Sequence, residues 1–170
     1  FNQSEALFIL GKNYIEGKNE LNISLKKGKE YLKKAAELGN LDAKLELIKH
    51  QFKTSFKNLG NKFIVYNLLP DITELASKNM IPAIILKAKF LAITESFNEA
   101  KEELKKALSL SQNNSHFLYK IGKLYVLFVK EENFGLQLIE KSCKDELKAS
   151  YFLGKYYFDN RNKSEKFNQK

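Results

Sequence analysis

Lysine is the residue type whose spacing in this sequence could carry chemistry. Five lysines occupy the same place in five similar segments, at Lys12, Lys49, Lys89, Lys123 and Lys155. Three of the segments are almost alike: Leu-Gly-Lys-Asn-Tyr at 10–14, Ile-Gly-Lys-Leu-Tyr at 121–125 and Leu-Gly-Lys-Tyr-Tyr at 153–157. An ammonium group carries a positive charge and three hydrogen-bond donors, so such a series suits the acidic groups of a partner.

Apolar or aromatic residues flank most of these lysines, four positions before and three after. Positions i−4, i and i+3 share one face of a helix, so each copy is expected to present an apolar surface with a lysine in its middle. That surface suits an extended or helical ligand with acidic groups. The predicted partner-binding residues are Phe8, Lys12, Ile15, Lys49, Phe52, Lys89, Tyr119, Lys123, Tyr151, Lys155 and Phe158.

A structural interpretation of the same residues competes with this one. Long lysine side chains commonly line helix edges with the ammonium in water. Apolar residues at helical spacing usually belong to a core, here the core between repeats.

Residues for catalysis or metal binding are sparse. His50 and His116 are the only histidines and lie in different copies, without the spacing of a zinc site. Cys143, the only cysteine, stands where other copies have alanine, which predicts a buried structural thiol. No strand–glycine loop–helix phosphate motif is present. We therefore predict no catalytic residue, metal or cofactor, and a protein that is not an enzyme.

The net charge of +9 comes almost wholly from lysine, because Arg161 is the only arginine. Arginine makes the bidentate contacts that read phosphates and guanines, whereas lysine acts as a point charge. The surplus favours a diffuse attraction to acidic partners over sequence readout of nucleic acid. Heavy use of lysine, asparagine, isoleucine and phenylalanine is also typical of an AT-rich genome.

The elements that would position these lysines are helices in a repeat. The residue before each lysine recurs at positions 11, 48, 88, 122 and 154, and a period of this length is typical of stacked helical repeats. Two prolines and 44% hydrophobic residues favour a mainly helical chain with a continuous core. No apolar run approaches the ~20 residues that span a bilayer.

Capping and breaker residues give the predicted boundaries. Ser4 and Ser24 are candidate N-caps, and Gly17 and Gly39 candidate helix ends. Pro70 means that the fourth helix is either kinked or begins near that residue. The predicted helices are about 4–16, 25–38, 41–57, 62–78, 82–93, 97–110, 116–129, 134–143 and 147–158. They form four helix pairs and a terminal helix in one domain, residues 1–160, followed by a polar tail, residues 161–170.

A glycine or alanine in the middle of the first helix of a pair lets its partner approach closely. We expect the small residues opposite to be Ala36, Ala76, Ala107 and Ser142. Ile48 takes the glycine position in the second copy, so the geometry of that pair is expected to differ.

Two stretches resemble a known family. Glu5-Ala6 through Gly11 and Tyr14, followed by residues 34–40 and Asp42-Ala43, is similar to the Sel1-like repeat; residues 100–125 resemble a tetratricopeptide repeat. The resemblance implies an all-α fold, a right-handed α-α superhelix of stacked antiparallel helix pairs. It also implies a non-catalytic scaffold for protein contacts, common in bacterial systems, with first helices lining the concave surface. The cysteine-rich Sel1-like subgroup is excluded, because this chain lacks the cysteine pairs.

Three functions follow as hypotheses. The first is an adaptor that binds a protein partner with acidic groups in its groove. The second is a basic solenoid that binds nucleic acid or another polyanion, and the third is a structural piece of a longer array. Self-association and the compartment, whether exported or cytoplasmic, stay open.

Overall fold

The computed structural model describes residues 2–19, 22–57 and 66–167, and these residues form two compact units, residues 1–78 and 79–170. All regular structure in the described residues is helical. The prediction of one repeat domain over residues 1–160 stays a prediction.

The first unit contains four helices: α1 (Gln3–Glu16), α2 (Leu25–Glu37), α3 (Leu41–Lys57) and α4 (Leu69–Ser77). Helices α1 and α2 form an antiparallel pair; α3 packs on α2, and α4 on α3. Leu32, Ala35 and Ala43 lie at the centre of the core between α1, α2 and α3.

Helix boundaries in this unit follow the predicted caps with one exception. Gly17 ends α1 with a left-handed φ of 67°, and the Ser24 hydroxyl accepts a hydrogen bond from the Lys27 N–H at the start of α2. Ser4 does not cap α1, because the helix begins at Gln3 and Ser4 lies within its first turn. Pro70 falls in the first turn of α4, which begins at Leu69, so the missing N–H of proline leaves no helical hydrogen bond unmade. The predicted residues 62–65 of that helix lie outside the described residues.

The second unit contains α5 (Ile81–Ile93), α6 (Phe97–Leu110), α7 (Ser115–Leu124), α8 (Glu132–Ser142) and α9 (Leu147–Phe167). Helices α5 and α6 form one pair and α7 and α8 another, and α9 packs on α8. The Asn114 side chain caps α7 by accepting hydrogen bonds from the N–H groups of His116 and Phe117. The predicted helix 116–129 is thus α7 followed by a π-helical turn, Tyr125–Val129.

The terminal helix is longer than predicted. Helix α9 continues past Phe158 to Phe167, so residues 161–167 of the predicted polar tail are helical. Polar residues 159–166 lack an apolar stripe of their own but also lack proline or glycine, so nothing in the backbone stops the helix.

Two helix pairs cross where one glycine meets another. A Cβ added to Gly11 would lie 3.0 Å from the Gly28 carbonyl oxygen, and one added to Gly122 would lie 2.6 Å from that of Gly135. This corrects the expectation that Ala36 and Ser142 lie opposite these glycines. The small residue that faces the glycine comes from the first turn of the second helix in each pair. In α6 the same position is occupied by Ala100, which is fully buried.

Cys143 also departs from expectation. It is only partly buried, and its thiol lies 3.4 Å from the Ile139 carbonyl oxygen. Ser142 holds the fully buried position instead and donates a hydrogen bond of 2.6 Å to the same oxygen. The hydroxyl is therefore satisfied within its own helix, which lets serine replace alanine in the core.

A pair of glycine substitutions tests the close crossing. We expect Gly122→Ala to lower the free energy of unfolding by about 1–2 kcal/mol, because overpacking against the Gly135 backbone outweighs the better helix propensity of alanine. Gly154→Ala is the matched control, since no described atom lies within 4 Å of the added Cβ. It should raise stability by up to about 1 kcal/mol. Urea unfolding followed by circular dichroism measures both; equal effects of the two substitutions would contradict the account.

Candidate binding surface

One lysine of the second unit lies between two aromatic rings on neighbouring helices. The Lys123 Nζ, on α7, is 5.8 Å from the ring centre of Tyr119 and 5.4 Å from that of Phe152, on α9. The two rings meet edge to face, 6.3 Å apart at 70°. Cation–π attraction therefore holds the ammonium at a junction of two helices instead of leaving it to extend into solvent.

A second lysine adds positive charge to the same place. Lys89, on α5, is half-buried, and burial lowers its pKa; the charge of Lys123 shifts it further in the same direction. The residues Lys89, Tyr119, Lys123 and Phe152 are called the lysine–aromatic surface below. Two ammonium groups that repel each other beside apolar rings are stabilised by an anion, so this surface is suited to a carboxylate.

The corresponding lysines of the first unit are already engaged. The Lys12 Nζ lies 4.0 Å from a Glu16 carboxylate oxygen and 5.6 Å from the Phe8 ring centre. The Lys49 Nζ lies 2.7 Å from Glu46. Each pair lies on a single helix, so these ammonium groups are partly neutralised locally.

Two residues of the predicted surface are packed inside the first unit. Phe52 is 3% exposed and belongs to the core. Ile15 is partly buried against the glycine crossing: its Cγ1 lies 2.5 Å from the Cβ position of Gly28. The apolar position three residues after Lys12 and Lys49 thus turns toward an adjacent helix, and the binding role of Ile15 and Phe52 stays a prediction.

The predicted binding residues of the last copy lie on the exposed face of α9, whereas a different face of the helix contacts Tyr119. Tyr151 and Phe158 are 74% and 65% exposed, and Lys155 is exposed as well. Phe152, which the sequence prediction missed, takes the place beside Tyr119, and Tyr156 stacks on it at 6.2 Å. The i, i+4 aromatic spacing of Phe152 and Tyr156 was the signal for this face, because residues four apart lie side by side on a helix.

The two histidines lie in different units, His50 on α3 and His116 on α7. Burial lowers the pKa of His50, and the Lys29 charge adds to the effect. The His116 Nδ1 lies 2.8 Å from a Glu146 carboxylate oxygen, and this hydrogen bond lowers the pKa of Glu146. No three of the described histidine, cysteine, aspartate and glutamate side chains are grouped so as to hold a metal ion.

Tyr125 is the largest fully buried side chain of the second unit. Its ring meets Phe134 edge to face at 4.9 Å. Burial, with the charges of Glu131 and Glu102, raises the pKa of Tyr125 to about 12. The phenol therefore stays neutral at physiological pH and acts as a packing group, the role that its position at the π-helical turn indicates.

No helix in the described part of the chain is long and apolar enough to cross a membrane.

The fold has a counterpart among solved structures. The chain is similar to the crystal structure of a Sel1 repeat protein from Oxalobacter formigenes, with a TM-score of 0.58 and 21% sequence identity. The match covers 92% of this chain and 64% of that one, so this chain spans about two thirds of its counterpart's length. No protein-family profile matches the sequence, and no curated protein does. The predicted all-α fold of stacked helix pairs is confirmed.

The half-buried position of Lys89 leads to a prediction about the thermal stability of the fold. Its pKa is lower in the folded than in the unfolded chain, so at neutral pH the charged form opposes folding. We expect Lys89→Met to raise the thermal midpoint at pH 7. The gain should shrink as pH rises through the lowered pKa toward 10.5, because the folded wild type loses its charge there.

Differential scanning fluorimetry across pH 7–10.5 measures this effect, with Lys106→Met as the control. Lys106 is exposed on α6, and its substitution should leave the midpoint nearly unchanged. A lower midpoint for Lys89→Met at pH 7 would show that the Lys89 charge stabilises the fold.

Proposed function

We propose that this protein is a non-catalytic adaptor that binds another protein through the lysine–aromatic surface. Sel1-like repeats resemble this fold and serve in general as scaffolds for protein contacts. The observation that carries the proposal is the Lys123 ammonium between the rings of Tyr119 and Phe152, with Lys89 beside it.

The chemistry of this surface favours a partner with a carboxylate next to an apolar side chain. Among the described residues, Lys123 has no ion pair, in contrast to Lys12 and Lys49. The rings supply apolar contact area that is already rigid, because each is held by another ring. Apolar contact then gives affinity, and the paired positive charges give steering and orientation.

A polyanion such as nucleic acid is less well supported. Several other lysines are bound by carboxylates across helix pairs, which breaks up the positive field that a phosphate backbone requires. The Lys87 Nζ lies 2.5 Å from Glu103, the Lys44 Nζ lies 3.1 Å from Asp71 and 2.7 Å from Glu74, and Lys101 pairs with Glu131. These carboxylates neutralise part of the lysine charge locally.

The proposal predicts a loss of partner binding when the two lysines are neutralised. We expect Lys89→Gln/Lys123→Gln to reduce capture of the partner at least tenfold in a quantitative pull-down from the source cells, because two charges that face the ligand are removed. The matched control is Lys106→Gln/Lys141→Gln, which removes the same charge from exposed positions on α6 and α8. That variant should capture the same protein as wild type.

Two results would contradict the proposal. The first is equal loss in both variants, which would indicate a response to net charge alone. The second is a mobility shift of duplex DNA or RNA at physiological salt that the Lys89→Gln/Lys123→Gln variant loses, which would indicate a polyanion-binding protein. Circular dichroism of every variant verifies that the fold is intact.

A further inference from the structure

The outer face of α9 carries an apolar stripe that no described element covers. Its residues follow one another at steps of four, three and four, which places them in a line along one helix face. Their exposed fractions are high for apolar side chains, 87% for Leu147, 74% for Tyr151 and 65% for Phe158, and Gly154 is exposed between them. The opposite face of α9 is anchored on the protein through Ala149, which is fully buried.

Two other helices of the same chain, α1 and α7, carry a glycine at the same position and pack against a second helix there. Gly154 holds the register position of Gly11 and Gly122, which the second helix of each pair approaches to within 3.0 Å or less of the Cβ position. At Gly154, by contrast, no described atom lies within 4 Å.

The tyrosine three positions after each glycine shows the same difference between α9 and the two helices that are covered at their glycine. The tyrosine three positions after the glycine packs on a ring of the paired helix in both covered cases: Tyr14 stacks on Tyr31, and Tyr125 meets Phe134. The equivalent Tyr157 is 51% exposed; it meets the ring of Tyr156 on its own helix edge to face and donates a hydrogen bond to Glu140. At the glycine and at the tyrosine three positions later, α9 thus repeats a helix that elsewhere packs closely against its paired helix.

The edges of the stripe are basic, which narrows the class of partner. Lys148 and Lys155 border it on one side, and Arg161 lies near its other edge one turn past Phe158. Asp159 is the acidic side chain on the lysine border. Two copies of α9 packed on this stripe would bring the same basic edges together, so charge disfavours a second copy and favours acidic flanks on the occupant.

We propose that the outer face of α9 is a second docking surface, which binds an amphipathic helix of a partner protein. That helix carries glycine or alanine where it crosses Gly154, apolar residues on either side and acidic residues along its edges. The surface is separate from the lysine–aromatic surface, because Phe152 and Tyr156 lie on the opposite side of α9. A membrane surface is disfavoured, since a glycine in the centre of the stripe removes apolar area but allows close helix approach.

Two helices of this chain supply matched probes. A helix-stapled peptide of residues 131–142 has Gly135 at its crossing position, three glutamates and one lysine. A stapled peptide of residues 24–38 has Gly28 there, with five lysines and two glutamates. By fluorescence anisotropy with the full chain, we expect the acidic peptide to bind at least tenfold more tightly than the basic one.

Substitutions in α9 test whether the acidic peptide binds at this face. Gly154→Leu should weaken binding of the acidic peptide at least tenfold. Circular dichroism should show an intact fold, because no described atom lies within 4 Å of the added Cβ. Lys148→Glu/Lys155→Glu should reverse the preference between the two peptides. The Lys89→Gln/Lys123→Gln variant should bind the acidic peptide like wild type, so this proposal and the proposed function can fail separately.

Three outcomes would overturn the proposal. One is binding of the acidic peptide that Gly154→Leu leaves unchanged. Another is a dimer in sedimentation velocity that Gly154→Leu dissociates, which would make a second copy the occupant. The last is binding of phosphatidylserine vesicles, lost in Lys148→Glu/Lys155→Glu, by a chain that binds neither peptide.

Discussion

The close crossing of helices at paired glycines is the constraint on which the rest of the structure depends. Gly122 meets Gly135 so closely that a single methyl group would touch backbone. Neighbouring side chains are fixed as a result, with Tyr125 buried against Phe134 and Ile139 in the core. Because the glycine faces the paired helix, the lysine that follows it is turned by about 100° onto another face. The crossing thus decides which side chains are available for binding.

Much of the fold is predictable from the sequence, because local signals and packing agree. The caps at Gly17, Ser24 and Asn114 lie where turn chemistry requires them, and Pro70 begins a helix as its missing N–H demands. The glycines opposite Gly11 and Gly122 were not predicted, since the periodicity of one helix does not say which residue of its neighbour it meets. They become visible only when two helices are placed together.

The binding surface was less predictable than the fold for a related reason. Spacing identifies residues on one helix face but does not say which neighbour that face meets. Phe52 fits the predicted pattern and is buried, whereas Phe152 does not fit it and lies against Lys123. Lys89 illustrates the physical compromise at such a surface: burial disfavours its charged form, and the nearby charge of Lys123 adds to that effect.

The central claim is that acidic side chains of a partner contact the ammonium groups of the lysine–aromatic surface. Carbodiimide cross-linking tests this directly, since it joins a lysine amine to a carboxylate only when the two are in contact. With the captured partner, mass spectrometry should find cross-links at Lys123, with Lys89 as the second site, that disappear in high salt. Cross-links confined to exposed lysines such as Lys106 and Lys141, with none at Lys123, would contradict the account.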